Sequence, residues 1–222
     1  MQRWGLLGGT FDPIHLAHLR CAEEIREKYG LDRIVFIPSA SPPLKQGPGI
    51  TSYEHREGMV RLAIEGNPAF AFSDVENRRK GPSYTVDTIG YFLECFGKEL
   101  EIYFIMGQDA FEDIRQWKNW RRLLTLCHFV IMTRPGWQKG SLRRALPLED
   151  AKRFPYDAKA RGYRGPSGKL ISFTVVTPLD VESRDIRKCV ESARSIRYLV
   201  PDAVREYIER QGLYKQVTGV PI

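Results

Sequence analysis

Residues 3 to 18 read RWGLLGGTFDPIHLAH and contain the pattern that decides the fold. An apolar run from Arg3 to Leu7 ends at Gly8 and Gly9, and residues 16–29 then carry apolar side chains at helical spacing. Pro13, which has no backbone N–H to lose, suits the start of that helix. The segment therefore predicts a strand, a glycine turn and a helix in succession.

The same alternation of strand and helix continues along the chain. Further strands are predicted at 33–38, 69–73, 101–106, 128–133 and 170–176. Helices are predicted at 53–65 and 86–96, one or two between 110 and 126, one from near Ser183 and one from Pro201 to Gln211. This order predicts a Rossmann-like α/β fold, with a doubly wound parallel sheet and C-terminal helices, in one domain of residues 1–222.

The positive charge of the chain is concentrated in one segment. The net charge is +7, and the stretch 134–170 holds ten Lys or Arg residues against three acidic ones, so the rest of the chain is balanced. The same stretch is rich in Pro and Gly, which predicts a basic, irregular insert at about 137–169. A solvated surface excursion is the favoured interpretation, and a contact to phosphate groups or to another chain is the alternative.

The composition argues against a membrane protein and against a disulfide framework. No apolar run approaches the roughly 20 residues that a membrane helix needs, and the first residues lack the features of a secretory signal. We therefore expect no membrane partner and a cytoplasmic location. Four scattered cysteines without a C-x-x-C pair are expected to be reduced and buried; they are Cys21, Cys95, Cys127 and Cys189. The sequence leaves self-association into a homo-oligomer open.

The glycine turn has the residues of an anion site. Gly8 and Gly9 carry no Cβ, so the backbone there can approach a phosphate closely. A helix N-terminus supplies free N–H groups. His15 and His18 are three residues apart, which puts both on one helix face toward the same site. Half of a zinc site is the alternative, and it is disfavoured because no cysteine or carboxylate cluster completes it.

The string GGTFDPIHLAH, residues 8–18, resembles the G-G-T-F-D-P-x-H-x-x-H signature of the nicotinate mononucleotide adenylyltransferases, within the HxxH nucleotidylyltransferases. The resemblance covers the chain from about residue 3 to residue 214 except the insert. It implies that His15 and His18 contact the ATP phosphates in the transition state. It also implies that the turn binds ATP through Gly8, Gly9, Thr10 and Phe11.

Two further segments resemble parts of the family's ATP site. Residues 38–45, PSASPPLK, are similar to a P-x-x-x-P-P-H-K loop whose last residue, here Lys45, approaches the phosphates, and Leu44 replaces the usual histidine. Residues 181–187, VESRDIR, are similar to I-S-S-T-x-I-R. There Ser183 would cap a helix and donate to phosphate, and Arg187 would reach the β and γ phosphates in a fork geometry. Glu182 and Arg184 replace a serine and a threonine, which alters the phosphate cradle.

The remaining matched segments imply both ends of the substrate site. Residues 83–88, SYTVDT, are similar to the S-Y-T-x-x-T segment that binds the pyridine carboxylate, and Trp117 lies where a ring stacks on the nicotinate. The acceptor residues implied are Ser83, Tyr84, Thr85 and Trp117. Residues 107–109, GQD, resemble a G-x-D, and residues 133–136, TRPG, match a strand end. The nucleotide residues implied there are Gly107, Asp109 and Arg134, of which Asp109 also suits a phosphate-bound metal.

The resemblance implies adenylyl transfer from ATP to nicotinate mononucleotide, giving deamido-NAD and pyrophosphate. The predicted catalytic set is His15, His18, Lys45 and Arg187. Mg²⁺ is expected to be carried by ATP, without a dedicated protein site. Two alternatives stay open: a sister adenylyltransferase for nicotinamide mononucleotide or phosphopantetheine, and a nucleotide- or RNA-binding protein without catalysis. We expect no nucleic-acid partner, because both histidines and Arg187 are retained.

Overall fold

The computed structural model describes residues 1–41, 49–133 and 141–215. Its strands are β1 (Gln2–Gly9), β2 (Arg33–Pro38), β3 (Phe70–Phe72), β4 (Leu100–Gly107), β5 (His128–Thr133), β6 (Tyr156–Asp157), β7 (Gly162–Arg164) and β8 (Leu170–Val175). Its α-helices are α1 (Leu16–Tyr29), α2 (Tyr53–Ile64), α3 (Val75–Arg78), α4 (Thr85–Phe96), α5 (Gln108–Glu112), α6 (Trp120–Leu126), α7 (Ser141–Ala145), α8 (Leu148–Ala151), α9 (Ser183–Glu191) and α10 (Asp202–Gln211).

One eight-stranded sheet runs in the order β3-β2-β1-β4-β5-β8-β7-β6. The first six strands in this order are parallel, and the pairs β8·β7 and β7·β6 are antiparallel. β1 lies between β2 and β4, so the chain winds outward from it in both directions. The predicted doubly wound α/β fold is confirmed, and its ligand crevice is expected beyond the carboxyl ends of β1 and β4.

The sheet is covered on both faces because neighbouring side chains along a strand point to opposite sides. In β1, Leu6 packs in one buried cluster and Leu7 in the other. The first cluster includes Ile89 of α4, and the second includes Ile25 of α1. Gly5 lets the strand pack tightly, since a Cβ there would lie 2.5 Å from the Cδ1 of Ile34. The apolar runs of the parallel strands follow from this burial on both faces.

The described part of the insert is more regular than the sequence predicted. It contains α7, α8 and the β6–β7 hairpin, which extends the sheet at β8. Leu142, Leu146 and Phe154 are buried in the first cluster. The apolar residues that anchor these elements are too few to give a periodic pattern. The Gly and Pro content of the segment therefore led to the prediction of an irregular insert.

Two other expectations can be compared with the structure. None of the helices in the described ranges is long and apolar enough to cross a membrane. All four cysteines are free, as expected, but only Cys127 is fully buried: Cys21 and Cys189 are half-buried, and Cys95 is exposed on α4, so the expected burial is wrong for Cys95. It lies on the solvent face of α4, whose buried positions are Val86, Ile89 and Phe92.

Candidate active site

A cavity of about 630 Å³ opens where β1 and β4 end. This volume is in the range of small-molecule sites. One wall is the end of β1 with the glycine turn, and another is the start of α4 with the segment that holds Trp117. The predicted residues that line the cavity are Gly8, Gly9, Thr10, Phe11, His18, Ser83, Tyr84, Thr85, Gly107, Asp109 and Trp117.

The turn after β1 has an unusual backbone at Phe11. Its φ is 50°, a left-handed conformation that a residue with a Cβ adopts at a cost of about 1–3 kcal/mol. Phe11 is buried, and a Cβ on Gly9 would lie 3.0 Å from the Cζ atom of its ring. The ring also meets the His18 imidazole edge-on at 5.1 Å. Phe11 therefore supports the turn and His18 with its ring, in addition to lining the cavity.

His15 and His18 are held against each other at the start of α1. Their rings stack at a centroid distance of 3.6 Å, and the backbone N–H of His15 donates to Nδ1 of His18 at 3.3 Å. The helix begins at Leu16, so His15 is its N-cap and not a helical residue, contrary to prediction. His18 lines the cavity and His15 packs beside it, 5% exposed, outside the lining.

The environment of the two imidazoles decides which ring atoms can donate. Burial lowers the pKa of His15 to about 4, so its ring carries no charge at neutral pH. Its Nδ1 is buried and has no hydrogen-bond partner among the described residues. Because Nδ1 of His18 accepts the His15 N–H, a neutral His18 carries its proton on Nε2. An anion in the cavity would find an Nε2–H at this position.

Two buried residues that the sequence analysis missed hold the turn from behind. The Arg56 guanidinium, 2% exposed, donates to the carbonyls of Thr10 and Thr51, at 2.9 Å each. The Asp12 carboxylate, 3% exposed, accepts from the Thr51 N–H at 3.2 Å and from the Tyr214 hydroxyl at 2.7 Å. Burial lowers the pKa of Arg56, and the nearby Asp12 opposes that shift. Asp12 lies in the FDP part of the recognised motif, which could have drawn attention to it, whereas no local signal indicates Arg56.

Ser183 and Arg187 contact the turn and do not line the cavity. Ser183 Oγ donates to the Pro13 carbonyl at 2.8 Å, and Arg187 Nη1 donates to the Asp12 carbonyl at 2.6 Å. Ser183 is the first residue of α9 and Glu182 is its N-cap, so the predicted cap was wrong by one residue. Arg187 also lies 3.9 Å from the Asp12 carboxylate. Both side chains therefore brace the turn.

The two departures from the family pattern in this segment are paired with each other. Arg184 Nη2 lies 3.0 Å from the Glu182 carboxylate, on the surface. An exposed pair of this kind contributes about 0–1 kcal/mol. The substitutions therefore compensate each other's charge.

The opposite wall of the cavity is built around the start of α4. Thr85 is the first helical residue and Tyr84 the N-cap. Ser83, 9% exposed, accepts hydrogen bonds at its Oγ from the N–H groups of Ala40 and Ser41, at 3.1 Å each. The side chain of Ser83 thus ties the end of β2 to α4. Its predicted role in contacting substrate directly stays a prediction.

Residues around this wall add features that the motifs did not indicate. Glu76 is buried, and burial raises its pKa, while Thr88 donates to it at 2.9 Å. Lys118 lines the cavity with its ammonium 4.5 Å from the centroid of the Tyr84 ring. Trp117 meets the Phe104 ring edge-on at 6.1 Å, which fixes the indole at the cavity wall. The Lys118 ammonium also donates to the Asp87 carboxylate at 3.0 Å, so this end has an aromatic face and a cation that is paired with an acid.

Asp109 is the second residue of α5, which follows β4 directly, and Asp113 also lines the cavity. Among the described residues no group of three or more His, Cys, Asp or Glu side chains could hold a metal ion. One or two carboxylates together with substrate phosphates suit Mg²⁺. Lys45, Leu44 and Arg134 lie outside the described residues.

Comparison with known proteins places this arrangement in a family. The cytidylyltransferase-like family model matches residues 6–189. A probable nicotinate-nucleotide adenylyltransferase of Syntrophotalea carbinolica is 46% identical over 214 residues, 96% of this chain and 98% of the relative. One of Geobacter sulfurreducens is 45% identical over 213 residues, with the same coverage.

A solved structure agrees at the level of the fold. Plasmodium falciparum nicotinic acid mononucleotide adenylyltransferase complexed with NaAD matches with a TM-score of 0.73 at 19% identity, covering 96% of this chain and 98% of that one. The sequence relatives identify the family as well as the fold, because their identity of 45–46% extends over almost the whole chain. The resemblance seen in the sequence is confirmed: the chain belongs to the nicotinate-nucleotide adenylyltransferase family, and it is a nucleotidyltransferase.

Proposed function

We propose that the protein transfers AMP from ATP to nicotinate mononucleotide in the cytoplasm, giving deamido-NAD and pyrophosphate. The observation that supports this most is that two different sets of predicted residues line the same cavity, beyond the ends of β1 and β4. The turn with His18 lies on one side, and the start of α4 with Trp117 lies on the other. A phosphate donor and a pyridine acceptor can thus enter one cavity from two ends.

At the turn, the chemistry is positioning and charge stabilisation. The phosphate of the acceptor is already an anionic nucleophile, so it attacks the α-phosphorus of ATP in line and expels pyrophosphate without a protein nucleophile. Gly8 and Gly9 let the triphosphate approach the backbone. His18 donates from Nε2 to the phosphate oxygens, and Arg187 and Lys45 supply positive charge. Correct orientation contributes about 7–11 kcal/mol in favourable cases.

At the other end, the acceptor carboxylate is proposed to bind the first turn of α4. Its backbone N–H groups and the Thr85 hydroxyl are donors that suit a carboxylate better than a carboxamide. Trp117 offers its indole face to the electron-poor pyridine ring. Lys118 adds a positive charge on the same side of the cavity.

Mg²⁺ fits the donor set of the cavity as a companion of ATP. Asp109 is the residue proposed to hold it, together with phosphate oxygens. When bound, the ion neutralises phosphate charge.

Pyrophosphate release from ATP and Mg²⁺ tests the proposal, with nicotinate mononucleotide, nicotinamide mononucleotide and phosphopantetheine as parallel acceptors. We expect strong preference for the nicotinate acceptor, and loss of turnover in His18→Ala. His55→Ala is the matched control, because His55 bonds Tyr207 and does not line the cavity. Preference for another acceptor, or no turnover with any of them, would refute the assignment.

A further inference from the structure

Asp12 is a buried acid in the middle of the turn that carries the histidines. Its side chain is almost fully enclosed, and both carboxylate oxygens accept hydrogen bonds, Oδ2 from the Thr51 N–H and Oδ1 from the Tyr214 hydroxyl. Arg187 lies 3.9 Å from Oδ2. A buried carboxylate needs such donors, because an unpaired charge in the interior is costly. Asp12 therefore has a fixed position only while these donors are in place.

Tyr214 brings the C-terminal segment of the described chain to this acid. Helix α10 ends at Gln211, Gly212 caps it with a φ of 63°, and the chain then brings Tyr214 against the turn. Its hydroxyl gives the shorter of the two hydrogen bonds to Asp12, 2.7 Å against 3.2 Å. Burial and the neighbouring Asp12 raise the pKa of Tyr214, so the hydroxyl stays protonated and donates.

The position of Asp12 decides the position of the histidines. Phe11, immediately before it, holds the left-handed backbone conformation, which persists only where the surroundings enforce it. Three residues after it, the N–H of His15 donates to Nδ1 of His18 and so orients that ring. A shift of Asp12 would therefore reach the His18 imidazole through the backbone of the turn.

We propose that Asp12 and Tyr214 are positioning residues for adenylyl transfer, which fix the turn from Thr10 to His15 and thereby the His18 ring. The C-terminal segment through Tyr214 is thus part of the support of the active site. The expected effect on kcat rests on the proposed function. The expected effect on the His18 ring does not, and it can be measured without substrate.

Tyr214→Phe tests the proposal, since it removes the hydroxyl and keeps the ring. Tyr207→Phe is the matched control: it also removes a half-buried hydroxyl from the C-terminal region, one that bonds His55 at 3.0 Å and does not contact Asp12. Imidazole ¹⁵N NMR signals of both ligand-free variants report the tautomer and environment of His18. Steady-state kinetics with varied ATP and varied acceptor give kcat and each KM.

We expect the His18 signals to move in Tyr214→Phe and to stay in place in Tyr207→Phe. We also expect kcat to fall about ten-fold in Tyr214→Phe with the KM for the acceptor unchanged, because a misplacement of about 1 Å costs as much as a hundred-fold. Asp12→Asn keeps the shape of the side chain but removes its charge and replaces one of its two acceptor oxygens by an amide donor, so it should move the same signals further.

Unchanged His18 signals in both Tyr214→Phe and Asp12→Asn would overturn the proposal. A fall in activity of the same size in Tyr214→Phe and Tyr207→Phe would also overturn it, because it would indicate general destabilisation. Failure of the proposed function is a separate result. In that case the unmodified protein shows no turnover with any acceptor, and the His18 signals alone decide whether Asp12 and Tyr214 position this ring.

Discussion

Replacing Arg56 by methionine tests the claim that the phosphate turn is held from behind. Methionine keeps much of the apolar stem that packs in the interior, and it removes the guanidinium that donates to Thr10 and Thr51. The change leaves two carbonyls without their donor, and it removes one of the two positive charges that the described structure places near the buried Asp12, the other being Arg187. Removing one partner of a buried charged group in this way costs about 3–5 kcal/mol.

That loss is a large fraction of the stability of a domain, which is about 5–15 kcal/mol. For a chain of this size each kcal/mol corresponds to about 2–4 °C, so we expect Tm to fall by about 6–20 °C. Urea unfolding followed by circular dichroism measures the change in the free energy of unfolding, with the slope expected to stay constant.

Arg61→Met is the control on the same helix. Arg61 forms an ion pair with Glu57 at 2.8 Å and lies over the Phe72 ring at 3.8 Å, two surface contacts that contribute about 0–1 kcal/mol each. We therefore expect Arg61→Met to unfold close to the unmodified protein. If Arg56→Met and Arg61→Met lost the same small amount, the guanidinium of Arg56 would not be supporting the turn, and the reasoning would be refuted.

Two further predictions concern charge. Burial lowers the pKa of His128, whose Nδ1 accepts a hydrogen bond from the Leu170 N–H. The unfolded chain therefore binds a proton at this histidine more readily than the folded protein does. The free energy of unfolding should fall as the pH drops below about 6.5. Urea titrations from pH 7.5 to 5 should show a smaller fall in the free energy of unfolding for His128→Asn than for the unmodified protein. Parallel pH profiles of the two proteins would contradict this prediction. Lys118→Met should lower kcat/KM for nicotinate mononucleotide about five-fold, the equivalent of about 1 kcal/mol, without changing kcat/KM for nicotinamide mononucleotide. Equal losses for the two acceptors would exclude a role in selectivity, and Lys152→Met, which removes an exposed charge outside the cavity, is the control.

The sheet could be predicted because its strands carry strong local signals. The predicted strand 33–38 coincides with β2, and 128–133 with β5, since short apolar runs bounded by turns have few other interpretations. The hairpin in the insert was missed because β6 and β7 have two and three residues, too short for a period of two to be visible. Their pairing depends on β8, which is a tertiary contact.

The site could be predicted in part for the same reason. The residues that line the cavity lie within recognisable motifs, such as Gly9 and His18 in the turn and Thr85 at the start of α4. Arg56 lies 46 residues along the chain from its partner Thr10, and Tyr214 lies 202 residues from its partner Asp12. Neither Arg56 nor Tyr214 lies in a motif. A hydrogen bond to a distant carbonyl or carboxylate leaves no pattern in the sequence around its donor.

Hydrogen bonds from distant donors help to explain why the turn can accept an anion. Carbonyl oxygens near a triphosphate would repel it, and in this turn three of them are already engaged by protein donors. Thr10 is bonded by Arg56, Asp12 by Arg187 and Pro13 by Ser183. With its acceptors occupied, the turn presents mainly donors, namely backbone N–H groups and the Nε2–H of His18, and donors are what a phosphate requires. The preference of the turn for phosphate thus depends on α2 and α9 as much as on its own glycines.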